Sequence, residues 1–183
     1  DKNGNAANIW KDFGFGFAEL GTVTKFAQNG NPKPRLFRLA KEEAALNRMG
    51  FNNNGAENLV KNFNKQGIEF KKNRKNICLG INFGKSKITD ISKATDDYLT
   101  SLKLLIPYCD YAAINVSSPN TKGLRKLQDP VLLKELLKEI KCLPNCPPLF
   151  VKIAPDLSLK DIEDICQLII EESIDGIIAT NTS

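Results

Sequence analysis

The sequence predicts a parallel α/β fold, and two features of its hydropathy pattern lead to that prediction. Short apolar runs recur along the 183 residues, and segments with helical periodicity lie between them. Strands that alternate with helices form βαβ units, in which neighbouring strands are parallel. The runs are apolar at nearly every position, as expected for strands that are covered on both faces.

About five of these apolar runs are predicted to be strands, because they have the length of strands rather than of helices. They span residues 15–23, 77–83, 111–116, 149–153 and 174–179. None approaches the roughly 20 residues needed to cross a bilayer. Both an open doubly wound sheet and a barrel that is covered only in part agree with this number of strands.

Three of the segments between strands have apolar residues at helical spacing. Their apolar faces comprise Tyr98, Leu102, Leu105 and Ile106; Leu132, Leu133, Leu136, Leu137 and Ile140; and Ile162, Ile165, Cys166, Leu168 and Ile169. Asp129-Pro130 marks the start of the second helix, with proline at the first helical position. Ser158 and Asp161 form a variant of the capping box at the start of the third.

Residues 31–51 interrupt the alternation of strands and helices. The segment contains Pro32, Pro34 and the apolar pair Leu36 and Phe37, and it lacks a clear helical pattern. We interpret it as a hairpin-like β insertion in the loop after 15–23. A turn at 52–55 and a short helix near Leu59 are predicted to follow it.

Composition restricts the chemistry. The formal net charge is +5, and the chain has five cysteines and no histidine. A general base must therefore be a carboxylate, lysine, tyrosine, cysteine or activated serine. Neither a disulfide framework nor a common zinc site is favoured. We interpret the basic run Lys71, Lys72, Arg74 and Lys75 as a solvated loop rather than a nucleic-acid or lipid-binding patch.

Polar side chains stand where the predicted strands end. They are amides, hydroxyls and lysines in the segments 21–24, 82–85, 115–120 and 180–182 and at Lys152. In parallel α/β folds ligands bind at the carboxyl ends of the strands, and barrel enzymes take catalytic residues from several strands. Such residues also favour ordinary turns. Their repetition on several strands, without acids, predicts a site for a flat ligand with imide and carboxylate groups.

The segment 115–125 resembles the signature loop of the dihydroorotate dehydrogenases, and it reads NVSSPNTKGLR. It is similar to the quinone-linked class, in which a serine stands where soluble class 1 enzymes have a cysteine. Further segments agree in order along the whole chain: GTVT at 21–24, PRLFRL at 34–39, NRMGFNN at 47–53, GINFGK at 80–85, VKIAPDL at 151–157 and DGIIATNT at 175–182. Residues 1–2 resemble the end of the strand that precedes 15–23 in the family.

The resemblance implies an α/β fold of the (β/α)8 TIM barrel type that binds FMN. Residues 1–183 would form part of this domain, with about five to six strands and the small β insertion 31–51 after the second strand. The implied reaction oxidises (S)-dihydroorotate to orotate in de novo pyrimidine biosynthesis, with hydride transfer to FMN. The implied electron acceptor is ubiquinone or menaquinone, and no nucleic-acid partner is expected.

Site residues follow from the matching positions. Ser118 matches the catalytic base, which removes a proton from the ring carbon next to the one that gives up hydride, and Thr22 resembles part of the proton relay. The residues that match the substrate site are Lys2, Asn47, Asn115, Asn120, Asn181 and Thr182. The residues that match flavin contacts are Gly21, Thr22, Asn82, Asn115, Lys152 and Thr180. Arg38 resembles an arginine near the quinone tunnel, and no metal ligand is implied.

Lys152 is notable without the resemblance, because it interrupts the apolar run 149–153. An unpaired ammonium group is costly to bury, so this position is hard to explain by structure alone. The resemblance implies that Lys152 approaches the pyrimidine edge of the flavin. A fixed positive charge there would stabilise the anionic reduced flavin.

The family has an amino-terminal helical pair that associates with membranes and carboxyl-terminal loops that hold the FMN phosphate. Neither has a counterpart in these 183 residues, so we expect the chain to be truncated at both ends relative to the family. Membrane contact would be peripheral and would use the missing amino-terminal segment. The sequence at 48–53 is more similar to bacterial members of the family. It predicts that the protein lies on the cytoplasmic side of the bacterial inner membrane, with the mitochondrial inner membrane as the alternative.

Two rival interpretations stay open. The first is another FMN barrel oxidoreductase, such as a fumarate- or NAD-linked dihydroorotate or dihydropyrimidine dehydrogenase, and Ser118 in place of cysteine argues against it. The second is a non-catalytic binding fragment whose net charge of +5 attracts an anionic partner. Flavin colour and bleaching by dihydroorotate would separate the enzymes from the binding fragment.

Overall fold

The structure is a computed structural model that describes residues 1–71 and 77–182. Its strands are β1 (Phe17–Val23), β2 (Leu36–Leu39), β3 (Ala44–Asn47), β4 (Cys78–Phe83), β5 (Tyr111–Asn115), β6 (Leu149–Lys152) and β7 (Gly176–Ile178). Its α-helices are α1 (Ala56–Lys65), α2 (Ala94–Leu105), α3 (Pro130–Lys141) and α4 (Leu159–Glu171). Short 3₁₀ helices span Trp10–Phe13, Ile91–Lys93, Ile106–Tyr108 and Leu124–Gln128.

Five of these strands form one parallel sheet in the order β1-β4-β5-β6-β7. Helices α2, α3 and α4 lie in sequence between its successive strands from β4 onwards. The predicted strand–helix alternation is therefore confirmed. Each of the five predicted apolar runs contains one strand of this sheet.

The two faces of the sheet differ in character. Leu20, Ile81, Ile114 and Val151 point to the outer face, where they are fully buried in a continuous apolar core with the helices. Residues in alternate positions point to the inner, concave face, because side chains alternate across a strand. Towards the amino ends of the strands on that face lies a mainly apolar cavity of about 700 Å³, lined in part by Tyr111 and Phe150.

The predicted helix starts are present. The Asp129 side chain accepts hydrogen bonds from the main-chain N–H groups of Val131 and Leu132, and Pro130 is the first residue of α3. Ser158 and Asp161 form a reciprocal capping box at the start of α4. On the predicted apolar face of α3, Leu133, Leu136, Leu137 and Ile140 are buried, whereas Leu132 in the first turn is 38% exposed.

The insertion contains an antiparallel pair, in which Leu36 pairs with Asn47 and Leu39 with Ala44. Helix α1 then begins at Ala56, close to the predicted position. Residues 1–2 do not form a strand, because they make a single ladder-like contact, in which the N–H of Gly21 donates to the carbonyl oxygen of Asp1 at 3.2 Å.

At the amino ends of the strands, two aspartates each accept a hydrogen bond from the main chain of the neighbouring strand. The Asp110 carboxylate accepts from the N–H of Leu79 at 2.7 Å, and the Asp175 carboxylate accepts from the N–H of Leu149 at 2.8 Å. Each aspartate immediately precedes one strand and bonds the start of the strand beside it. These two contacts align the amino ends of neighbouring strands.

Part of the predicted basic loop lies outside the described residues, namely Lys72, Arg74 and Lys75. Lys71 is described, and its ammonium group donates to the carbonyl oxygen of Asn145 at 3.2 Å. Among residues 1–71 and 77–182, no helix combines the length and apolar character required to span a membrane.

Candidate active site

A hollow of about 150 Å³ opens at the carboxyl ends of the parallel strands. It is lined by Lys2, Gly21, Thr22, Asn47, Met49, Gly50, Phe51, Asn115, Ser118, Pro119, Asn120, Lys152, Asn181 and Thr182. These residues come from the chain start, β1, the insertion, and the segments that end or follow β5, β6 and β7. The hollow therefore collects Ser118 and all of the predicted substrate and flavin residues except Asn82 and Thr180.

The register of the sheet explains why residues from four strands meet here. Gly21 pairs with Asn82, and Asn115 pairs with Lys152, so the members of each pair lie side by side on the same face of the sheet, while Asn82 itself pairs with Ala113, two residues before Asn115 in β5. Gly21 has φ +115°, and a Cβ there would stand 2.6 Å from the carbonyl oxygen of Asn82. Only glycine allows β1 and β4 to approach so closely while the chain bends into the hollow.

Asn82 lies beside the hollow and bonds two residues that line it. Its side-chain oxygen accepts from the Thr22 hydroxyl at 2.6 Å and from the Asn115 amide at 3.1 Å. The Asn115 amide also donates to the Thr22 hydroxyl oxygen at 3.3 Å. Asn82, Thr22 and Asn115 thus form a closed triangle of hydrogen bonds at the end of β1, β4 and β5.

A second set of bonds joins the loop after β5 to the end of β7. The Asn115 side-chain oxygen accepts from the Ser117 hydroxyl at 2.9 Å, and the Ser117 hydroxyl oxygen accepts from the Asn181 amide at 3.1 Å. The main-chain N–H of Asn181 donates to the carbonyl oxygen of Ile153, which continues the β6–β7 pairing. Asn181 is therefore held at both its main chain and its side chain.

Ser118 is 5% exposed and lines the hollow. Its hydroxyl oxygen accepts from the main-chain N–H of Asn120 at 3.3 Å. The Asn120 side chain donates to the carbonyl oxygen of Asn47 at 3.4 Å, so the insertion touches the same loop. Arg125 donates to the carbonyl oxygen of Ser117 at 3.0 Å and fixes the loop from the other side.

Among the described residues of the lining, Lys2 and Lys152 are the charged ones and none is an acid. Both lysines are partly buried. Burial, followed by repulsion from Arg35, lowers the pKa of the Lys2 ammonium group below the ordinary lysine value. Two cations without an acidic lining residue make the hollow suited to an anionic ligand.

Three strand-end residues lie away from the hollow. Thr180 is exposed, and its hydroxyl donates to the carbonyl oxygen of Asn181 at 2.8 Å. Thr24 is fully buried and donates to the carbonyl oxygen of Phe26. Lys85 is also buried, and its ammonium group donates to the carbonyl oxygens of Ser86 and Thr89. Lys85 therefore closes a turn, because it follows β4 rather than ending it.

Sequence analysis missed several residues of this region. Glu19 accepts a hydrogen bond from the Asn82 amide, and Ser117 joins Asn115 to Asn181. The Thr121 hydroxyl is buried and has no hydrogen-bond partner among the described residues. A buried polar atom without a partner is unusual, which makes Thr121 a further candidate beside Ser118. Position in the signature loop was the available signal for Ser117 and Thr121.

A sequence model of the family described as Dihydroorotate dehydrogenase matches residues 1–183. The chain belongs to the dihydroorotate dehydrogenase family. It is 59% identical over 183 residues to the protein named dihydroorotate dehydrogenase (quinone) of Prochlorococcus marinus (strain MIT 9313), with 100% of this chain and 46% of that protein covered. It is 49% identical over 184 residues to the protein of the same name from Gloeobacter violaceus (strain ATCC 29082 / PCC 7421), with 100% and 50% covered.

A solved dihydroorotate dehydrogenase has the same fold. The crystal structure of the Eimeria tenella protein in complex with ferulenol is similar to this chain with a TM-score of 0.89 and 38% sequence identity, over 100% of this chain and 54% of that one. The parallel α/β sheet is part of a TIM barrel, which confirms the fold expected of the family. The chain spans about half the length of the dihydroorotate dehydrogenases it matches.

Proposed function

We propose that this chain forms the dihydroorotate side of the active site in a flavin-dependent, quinone-linked dihydroorotate dehydrogenase of pyrimidine biosynthesis. The observation that carries the proposal is the convergence of Ser118, two lysines and several amides in one hollow at the carboxyl ends of parallel strands. Ligands bind at this end in parallel α/β barrels. In this reading residues 1–183 are part of an FMN-binding barrel domain, with 31–51 as an insertion.

The substrate is a dihydropyrimidine ring with imide and carboxylate groups, and the product orotate is planar. An asparagine side chain offers both a donor and an acceptor, which suits an imide edge. The residues proposed to bind the ring and its carboxylate are Lys2, Asn47, Asn115, Asn120, Asn181 and Thr182. Lys2 supplies the positive charge for the carboxylate, and the bonds that hold Asn115 and Asn181 set the direction of their amides.

Ser118 is proposed as the base that takes a proton from the substrate ring. A free serine is a weak base and must be activated by its surroundings. Ser118 would give its own hydroxyl proton to a relay as it takes the substrate proton, and the N–H of Asn120, which donates to the Ser118 oxygen, would stabilise the alkoxide character of that oxygen. Two candidates to pass the proton onwards are Thr22, which lines the hollow, and Thr121, whose hydroxyl has no hydrogen-bond partner among the described residues.

FMN would supply the hydride acceptor in this reaction. The residues proposed to hold it are Gly21, Thr22, Asn82, Asn115 and Lys152, with Thr180 as an exposed contact outside the hollow. Their amides, hydroxyls and single ammonium group fit the polar edge of a flavin, and Lys152 gives a fixed positive charge. The hollow of about 150 Å³ is below the roughly 300 Å³ of ordinary ligand sites. That size agrees with a chain that spans half of its relatives and contributes one side of the site.

A quinone, ubiquinone or menaquinone, is proposed as the electron acceptor. Support comes from the word quinone in the names of the relatives and from Ser118 in place of a cysteine. The hairpin β2–β3 exposes Leu36, Leu39 and Leu46 together with Arg38, which agrees with a role near a lipid-soluble acceptor. Peripheral association with the cytoplasmic side of a bacterial inner membrane is proposed on the same grounds.

The test uses the purified full-length protein under anaerobic conditions. We expect a yellow protein whose flavin absorbance bleaches on addition of dihydroorotate and returns on addition of a ubiquinone analogue. Return of the absorbance with fumarate or NAD, and not with a quinone, would assign the protein to one of the soluble classes. A colourless protein that binds nucleic acid in a salt-sensitive manner would refute the proposal.

A further inference from the structure

Glu19 lies beneath the proposed site on the concave face of the sheet, two residues before Gly21 in β1. Its carboxylate binds two neutral donors. One oxygen accepts from the Asn82 amide at 2.9 Å, and the other accepts from the Tyr111 hydroxyl at 3.2 Å. Among the residues that the structure describes, no lysine or arginine forms an ion pair with Glu19.

The contact with Tyr111 depends on Gly80, which stands between the two residues in the sheet. Glu19 pairs with Gly80 in the β1–β4 ladder, and Gly80 pairs with Tyr111 in the β4–β5 ladder. A Cβ on Gly80 would come within 1.9 Å of the Tyr111 ring. The ring therefore crosses over Gly80 and delivers its hydroxyl to Glu19. Burial, followed by the Glu19 charge, raises the pKa of this phenol and keeps it a donor.

The carboxylate determines which way round the Asn82 amide stands. A carboxylate only accepts hydrogen bonds, whereas a carboxamide has one accepting and one donating end. Glu19 therefore holds the NH₂ of Asn82 on its own side and turns the Asn82 oxygen towards the hollow. That oxygen is the acceptor for both Thr22 and Asn115. With Asn82 reversed, two donors from Asn115 and Asn82 would face each other.

The direction set at Glu19 continues through the site. Because the Asn115 NH₂ is bound to the Asn82 oxygen, the Asn115 oxygen faces Ser117 and accepts from its hydroxyl. The Ser117 oxygen is then free to accept from the Asn181 amide. Each bond in this series fixes the orientation of the next group, so the series begins at Glu19 and ends at Asn181.

We propose that Glu19 is a positioning residue, whose carboxylate fixes the orientation of Asn82 and, through it, of the Thr22, Asn115 and Asn181 side chains that face the ligand. This inference deepens the proposed function and rests on it. Glu19 does not touch the ligand in this assignment. Its effect is on how well the amides are prearranged for a pyrimidine ring and a flavin.

The experiment compares Glu19→Leu with Glu19→Gln and Tyr111→Phe in the full-length protein. The measurements are orotate affinity by calorimetry, the flavin absorption spectrum, and the orientation of Asn82 in crystal structures. Leucine removes the acceptor and leaves the Asn82 NH₂ unpaired, which should weaken orotate binding about tenfold and rotate the amide. Glutamine can still present an oxygen to Asn82, and Tyr111→Phe leaves the Asn82 bond intact. Both controls should remain within about threefold of wild type.

A charge-swapped pair covers the case in which Glu19→Leu fails to fold. Asn82→Asp puts two carboxylates face to face, and Asn82→Asp combined with Glu19→Gln restores one donor and one acceptor. The double variant should bind orotate about tenfold more tightly than Asn82→Asp alone. No recovery in this pair would overturn the proposal, as would wild-type affinity with an unmoved Asn82 in Glu19→Leu.

The two hypotheses fail in different ways. A wild-type protein that neither binds orotate nor loses flavin absorbance with dihydroorotate would refute the proposed function. The orientation of the Asn82 amide in Glu19→Leu would still test whether Glu19 positions Asn82. An effect of Glu19→Gln as large as that of Glu19→Leu would refute positioning by an acceptor, since glutamine retains one.

Discussion

The hydroxyl of Tyr98 donates a hydrogen bond of 2.9 Å to the main-chain carbonyl oxygen of Asn115. Tyr98 belongs to α2 and is fully buried, whereas Asn115 is the last residue of β5 and lines the hollow. Burial is the main reason that the pKa of this phenol is raised, so the group stays protonated and continues to donate. One side chain from the outer layer thus holds the strand end on which the site depends.

Tyr98→Phe should therefore affect both stability and the site. Removing the hydroxyl deletes a buried hydrogen bond, which costs about 0.5–1.5 kcal/mol of unfolding free energy. We also expect weaker orotate binding, because the end of β5 is less well held. Urea denaturation and calorimetry measure the two effects. The matched control is Tyr108→Phe, whose hydroxyl bonds Asn64 at 2.9 Å outside the site and should lower stability alone.

Ser118→Ala should slow flavin reduction by dihydroorotate about 10²–10⁴-fold, the range that general-base catalysis contributes. Flavin should stay bound, because the variant removes one hydroxyl oxygen and no charge. Anaerobic stopped-flow absorbance measures the rate. Thr100→Ala is the control, since its hydroxyl bonds the carbonyl oxygen of Asp96 on an exposed part of α2. Reduction at the wild-type rate in Ser118→Ala would show that another group takes the proton.

Lys152→Met should lower the reduction potential of the bound flavin. Lys152 lines the hollow, and the described lining residues include no acid that would neutralise its charge. Its loss removes about 1.5–3 kcal/mol of charge-assisted stabilisation of the reduced state. Redox titration against a dye measures this change. Lys122→Met, on an exposed position of the signature loop, should leave the potential unchanged.

Orotate binding should weaken at alkaline pH because of Lys2. Its pKa is lowered from the ordinary 10.5, so the ammonium charge that is proposed to face the orotate carboxylate is lost at a lower pH than for a free lysine. The effect on folding has the opposite sign. In the unliganded protein the folded state releases this proton first, so stability rises with pH between the lowered pKa and 10.5.

Calorimetric titrations at several pH values would test this expectation for Lys2. In Lys2→Met the affinity should be lower at neutral pH and should lose its decline through the alkaline range. An unchanged pH profile in that variant would place the titrating group elsewhere.

The strands and helices could be predicted because their signals are local. Apolar runs and helical spacing mark β4, β5, β6, α2, α3 and α4 without any tertiary information. Leu132 shows the limit, since its place on the helix surface depends on which neighbours cover the first turn. The hairpin was expected from what 31–51 lacked, and its pairing partners could not be read from the segment itself.

Site residues that end a strand could be predicted from the sequence. Residues that affect the site by bonding a residue of another strand could not. Lys85 and Lys152 look alike in sequence, yet one closes a turn and the other faces the hollow, because their positions relative to the strand end differ. Glu19 was missed because its partners lie 63 and 92 positions away along the chain. Only the sheet register brings Asn82 and Tyr111 to it.

The paired aspartates at the amino ends of the strands have a practical consequence for engineering. Asp110 and Asp175 bond Leu79 and Leu149 at the end of the barrel opposite the hollow. The hydrogen bonds that align the strands are therefore separate from the residues that line the hollow. Barrel enzymes commonly divide stability and chemistry between their two ends in this way. The residues that line the hollow can therefore be randomised to select variants that bind new ligands, while the two aspartates continue to align the strands.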